Sequence, residues 1–166
     1  MMTEKENFIQ LNNDNILRLE IVDKDGNSTG NHLEFDLEDV ELPLIYQQMV
    51  EDHKKNTEWL KERMLIIDRR QDVKGKKLLS KNEEEKIKAL NEFYKKEVEI
   101  LDAFLGKDGC KKLLNGRKIG WTTLDEIDEI IEKQIAPHLD LTMKNITDKI
   151  KEKYGKAKKH DEEVMK

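Results

Sequence analysis

Between Pro43 and Gln71 the chain has no glycine and no proline. Its apolar or compatible positions there fall at Leu42, Ile45, Met49, Asn56, Trp59, Leu60, Met64 and Ile67. Spacings of three and four put these on one helix face, interrupted by a polar gap near Asp52 and His53. A helix of ~28 residues is ~42 Å long at 1.5 Å per residue, against a mean of ~11–12 residues in globular proteins. So long an amphipathic element needs a long neighbour, and the next stretch of chain supplies one.

Asp72 to Leu79, with Gly75, reads as a bend. Ser80 is followed three residues later by Glu83, the spacing of a capping box. A second long helix then runs to about Leu105, with Gly106 as its stop. Ile87, Leu90, Tyr94, Leu101 and Leu105 share one stripe, which Phe93, Ile100 and Phe104 widen. The two helices are expected to form an antiparallel αα-hairpin. The wider stripe of the second calls for more than one covering surface, from the later helices, a partner helix or a second copy.

Ahead of this pair the period changes to two. Leu17, Leu19 and Ile21 alternate with Arg18, Glu20 and Val22, and Leu33, Phe35 and Leu37 repeat the pattern after a turn-rich segment from Asp23 to Asn31. This predicts a β-hairpin with one apolar face. A lone hairpin is marginal in water, so it is expected to rest on the helices. After Gly106, Gly109–Leu114 reads as a short helix ended by Asn115-Gly116. Thr123 with Glu126 has capping-box spacing before a helix carrying Leu124, Ile127, Ile130, Ile131 and Ile135. Pro137 is expected to break or kink it. A last helix shows Leu139, Met143, Ile146 and Ile150, with Gly155 as its end.

The expected fold is therefore mainly α (α+β), an N-terminal β-hairpin packed on a small helical body built around a long antiparallel αα-hairpin. Residues 1–13 are expected to be a flexible N-terminus. Residues 14–154 form one domain, with the hairpin at 14–38 and the helical body at 39–154. Residues 155–166 are expected to be a disordered charged tail. Charged residues make up 40% of the chain and aromatics 5%, which suits long solvated helices better than a sandwich or a doubly wound sheet.

The same composition narrows function. Lys and Arg number 31 against 36 Asp and Glu, a net charge of −5, which argues against a nucleic-acid partner. Nothing approaches 18 apolar residues in a row, so no membrane span is expected. The opening segment, with Glu4 and Glu6 and no apolar core, does not read as a signal peptide. The single Cys110 permits no intrachain disulfide, which fits a reducing compartment.

Four local patterns could carry chemistry. Asp23, Asp25, Asn27, Thr29, Asn31 and Glu34 place oxygens at EF-hand positions 1, 3, 5, 7, 9 and 12. Ser28 stands where the sharp turn needs glycine and Gly30 where an apolar residue belongs, so a hairpin turn is the expected reading. His32, His53, His138 and His160 include no i, i+4 pair, and no metal site is expected. Cys110 reads as a small buried residue rather than a nucleophile. Lys74, Lys76, Lys77 and Lys81 gather at the bend, where Glu83, Glu84 and Glu85 offset them, and read as a solvated loop. The chain is expected to be no enzyme and to need no cofactor. Trp59 is expected in the core, as is Trp121, which tends to anchor a loop or to form an interface hot spot. The candidate partner-binding face is Phe104, Leu105, Ile119 and Trp121, an apolar group beside turns.

Five segments, Phe35–Pro43, the Trp59 helix, Glu99–Gly106, Gly109–Gly116 and Ala136–Leu139, carry a resemblance. Over residues 35–154 the chain resembles the tail assembly chaperones of long-tailed phages and prophage-derived tails. In similar proteins a strand pair precedes a small helical body, and an Asp-x-Phe-Leu-Gly segment, here Asp102–Gly106, is followed by a short helix and a turn. The resemblance implies a non-enzymatic binder in the cytoplasm of a bacterial host. It would coat the tape measure protein, or another helical protein, before tail tube subunits polymerise around it. The alternative is a self-associating helical adaptor, a homo-oligomeric structural or regulatory subunit.

Overall fold

The computed structural model describes residues 9–12 and 14–164 of the chain. The expected flexible N-terminus lies largely outside the described residues, as do positions 165–166 of the expected tail. The fold is mainly α with an N-terminal two-stranded antiparallel hairpin.

Strands β1 (Ile16–Val22) and β2 (Ser28–Asp36) pair with Leu17 opposite Phe35 and Leu19 opposite Leu33, which sends the apolar residues of both to one face. The ladder is irregular between Glu20 and Val22. Asp23 closes the turn, its Oδ1 accepting the backbone N–H groups of Asp25 and Asn27, each at 2.9 Å. Gly26 takes the positive φ of 81° that the turn requires. The segment that resembles an EF-hand loop is thus a hairpin, and its first carboxylate is occupied by its own backbone.

Helix α1 (Leu42–Asp68) begins with Pro43 in its first turn, where the missing N–H costs nothing. Helix α2 (Lys81–Leu105) begins at the capping box read from sequence: Ser80 Oγ accepts from Glu83 N–H at 3.1 Å, and Glu83 Oε1 accepts from Ser80 N–H at 3.0 Å. The bend between them is tied by Asn82, whose Nδ2 donates to the carbonyls of Ile67 and Arg70. Tyr46 meets Phe104, His53 meets Glu97 and Ile67 meets Asn82, which makes the pair antiparallel.

The core lies on α2. Ile21, Leu33 and Phe35 of the hairpin pack over its C-terminal end, where the Phe104 ring stands 5.3 Å from Phe35 and 5.4 Å from Tyr46. Asp102 Oδ1 accepts the N–H of Cys110 at 2.9 Å and so holds helix α3 (Gly109–Leu114) to the end of α2. A Cβ at Gly109 would stand 2.5 Å from Leu105 Cβ, so only glycine allows that approach. The Asp-x-Phe-Leu-Gly segment is therefore a packed corner.

Three expectations about the C-terminal region are corrected. Helix α4 (Trp121–Ile130) is capped at Gly120, three residues before the predicted cap Thr123. Thr123 sits at the third helical position and its hydroxyl accepts the N–H of Gly120 at 2.7 Å, the half of a capping box that needs no N-cap side chain. Pro137 does not break the helix. A π-helical segment (Ile131–Ile135) precedes it, and the N–H of Ala136 reaches the carbonyl of Ile131. The wider turn takes up the local disturbance of the i→i−4 ladder that proline causes. Helix α5 (Ala136–Val164) then runs on through Gly155, where an end to the helix was expected. Gly155 has no positive φ, and a glycine inside a helix costs only about 1 kcal/mol relative to alanine.

Candidate functional site

Two features of the helical body carry chemistry, and both arise where α1 meets a neighbour. The first fills the polar gap in the α1 stripe. Glu97 projects from α2 and is completely buried. Its Oε2 lies 2.7 Å from His53 Nδ1 and its Oε1 accepts from Asn56 Nδ2 at 2.8 Å. The same Asn56 amide also donates to the Phe93 carbonyl at 3.1 Å. Among the described residues every buried side-chain polar atom has a hydrogen-bond partner.

The hydrogen bond from Glu97 raises the His53 pKa above its ordinary 6.5, against the opposing effect of burial, and the charge of Asp128 on α4 adds to the rise. Burial raises the Asp128 carboxyl, which His53 partly offsets. One imidazole thus faces carboxylates from α2 and α4. This arrangement can hold a proton and lock the register of α1 on α2. Its His53 side chain is only 39% exposed.

The second feature is an apolar groove of about 680 Å³ between the N-terminal half of α1 and the start of α5. Val40, Leu44 and Val50 line one wall and Met143 and Ile146 the other, with Tyr46 and Leu139 at the floor. Val40 and Leu44 are each 66% exposed. Large apolar side chains left in contiguous array mark binding surfaces. A trough between two helices has the shape that accepts a third.

The candidate face read from sequence is dispersed. Phe104 and Leu105 are core residues, because the hairpin and α3 cover that end of α2. Ile119 is half-buried against the core. Trp121 is 73% exposed at the first position of α4, where a core position was expected. Trp59, also expected in the core, is half-buried beside a second, more polar trough between α1 and α2. Cys110 is buried as expected, and burial raises its thiol far from the reactive thiolate form, with Asp102 adding to the effect.

The groove was missed because both walls look like ordinary core stripe. The signal available was Val40, Leu44 and Val50, apolar positions beside the main stripe of α1. The polar cluster left a clearer trace. Tyr94, Glu97 and Leu101 are spaced three and four apart, so a carboxylate interrupts the α2 stripe opposite the gap in α1. Among the described residues no helix is long and apolar enough to cross a membrane, and no group of three or more His, Cys, Asp or Glu could hold a metal. No protein-family model, curated protein or solved structure matches the chain.

Proposed function

We propose that this chain is a non-enzymatic tail assembly chaperone of a long-tailed phage or prophage-derived tail. It binds the tape measure protein in the bacterial cytoplasm and keeps it dispersed until tail tube subunits polymerise. The observation that carries the reading is the open groove between α1 and α5. Its exposed Val40, Leu44, Val50 and Met143 offer an amphipathic client helix the apolar seat that water denies it. The surrounding surface is highly charged, which keeps a coated client soluble. The Asp102–Gly106 corner and the strand pair ahead of the helices agree with the resemblance stated for the sequence.

Co-expression of the tape measure protein of the same phage or prophage with the full chain tests this. The tape measure protein should be soluble and co-purify with the wild type. Leu44→Asp, at an exposed groove position, should leave most of it insoluble. Trp121→Ala, on the face read from sequence, should retain binding. A tape measure protein that gains no solubility from the wild type, or gains as much from Leu44→Asp, overturns the reading.

A further inference from the structure

The α5 stripe does not end where its support ends. Leu139 is 4% exposed, Met143 44%, Ile150 55% and Tyr154 67%, so apart from half-buried Ile146 one apolar line climbs out of the body. These residues, with Ile146, keep spacings of three and four, the face of one helix. Helix α5 is 29 residues long, and its apolar contacts with α1 are confined to its first turns. The molecule thus presents a groove without a helix and a helix without a groove.

Charge pairs the two. From Asp36 to Asp52 the chain carries six carboxylates and no lysine or arginine. From Lys144 to Lys159 it carries seven lysines against Asp148 and Glu152. Among the described residues, Lys144, Lys149, Lys151 and Lys153 make no salt bridge, and neither do Asp36, Glu38, Asp39, Glu41, Glu51 and Asp52. An acidic segment that contains the groove residues Val40, Leu44 and Val50, and a basic projecting helix, thus lie within one sequence, each without a salt bridge among the described residues.

We infer that the groove is covered, in the free protein, by the projecting half of α5 from a second copy of this chain. The contact is reciprocal: each copy lends its stripe of Ile150 and Tyr154 and receives its partner's along Val40, Leu44 and Val50. Such an exchange is isologous and closes at two copies. The lysines of the incoming helix face carboxylates next in sequence to groove residues, such as Asp39, Glu41 and Glu51, which sets its orientation and makes association weaken with salt. The inference does not depend on the client proposed above, although a client helix would have to displace the partner's α5.

Sedimentation and light scattering of the full chain test it. The wild type should have the mass of a dimer that dissociates on dilution and more readily at high salt. Ile150→Glu should weaken the dimer by about tenfold or more, as loss of a central apolar anchor does, with an unchanged helical circular dichroism signal. Lys149→Glu/Lys153→Glu and Glu38→Lys/Glu41→Lys should each be monomeric alone and form a mixed dimer together, since each restores the other's charge pairs. A wild-type monomer at all concentrations overturns the inference, even if the groove accepts a tape measure helix. A dimer that survives both Ile150→Glu and Leu44→Asp also overturns it. A dimer of the expected behaviour that never solubilises a tape measure protein supports this inference and overturns the client reading instead.

Discussion

Helices α2 and α5 are 25 and 29 residues long and carry stripes of the same spacing, yet only one of them is used up within the chain. Seven α2 residues are buried, because α1, the hairpin, α3 and α4 surround it. Along α5, Leu139 and Thr142 are buried and the line then emerges. Amphipathic spacing therefore tells which face of a helix is meant to be covered, but not what covers it. In α2 the cover is the chain itself and the energy appears as folding stability. Along α5 the same kind of surface is left exposed from Met143 to Tyr154 and is available for association.

The comparison breaks first at Phe104, the α2 residue on which hairpin and helices converge. Phe104→Ala removes the ring that meets Phe35 and Tyr46 at 5.3 and 5.4 Å, and is expected to cost about 3–5 kcal/mol in urea unfolding. A loss under about 1 kcal/mol would mean that the hairpin does not depend on this corner.

Next comes the polar lock. His53→Ala leaves the Glu97 carboxylate buried beside Asn56 alone. For a fully enclosed pair the loss is about 3–5 kcal/mol, and here about 2–3 kcal/mol is expected, since partly exposed His53 gives water a route to the vacated site. The pH dependence follows from the raised His53 pKa. Its stabilisation is complete below the ordinary value of 6.5 and is lost as pH rises through the higher folded value. Asp128 acts in the same direction but only within its own window, from the ordinary carboxylate value up through its raised folded value, above which it adds nothing further. The wild type should be less stable at about pH 9 than at about pH 6, and His53→Ala should remove most of the difference. A flat wild-type profile over that range would show that His53 carries no excess proton in the fold.

A smaller effect is expected at the start of α2. Ser80→Ala removes the side-chain half of the capping box and should cost about 1 kcal/mol. An equal loss from Glu83→Ala would show that both halves act as one unit, and thermal unfolding of the pair with the double variant measures the coupling.

Local rules made much of this fold legible. Period-two alternation placed both strands, the Ser80–Glu83 spacing placed the start of α2, and Gly106 and Asn115-Gly116 marked the ends of α2 and α3. The misreadings came where one residue has two local uses. Thr123 can cap a helix or reach back from its third position, and the Gly120 N–H decided for the second. Pro137 can end a helix or follow a π turn, and Ile131–Ile135 provided the turn. The candidate site was harder to read, because it depends on pairs distant in sequence. His53 and Glu97 each looked like a flaw in an apolar stripe, and only antiparallel packing sets one flaw opposite the other. Trp121 and the groove residues share the same difficulty in reverse: their exposure depends on what does not pack on them.

The smallest expected effect is the most telling for α5. Tyr154→Ser exchanges a large aromatic side chain on an apolar stripe, a change that inside α2 would be severe. At 67% exposure it removes little intrachain contact, so the diluted protein should keep its unfolding midpoint within about 0.5 kcal/mol of wild type. The helix itself has no stake in the ring beyond propensity, where tyrosine and serine stand close together. Measured on dilute and concentrated samples, the two chains should then diverge only when concentrated, where the wild type gains stability by mass action and Tyr154→Ser gains less. A loss of several kcal/mol in the dilute sample would mean that α5 is covered by its own chain, and that α2 and α5 differ in degree rather than in kind.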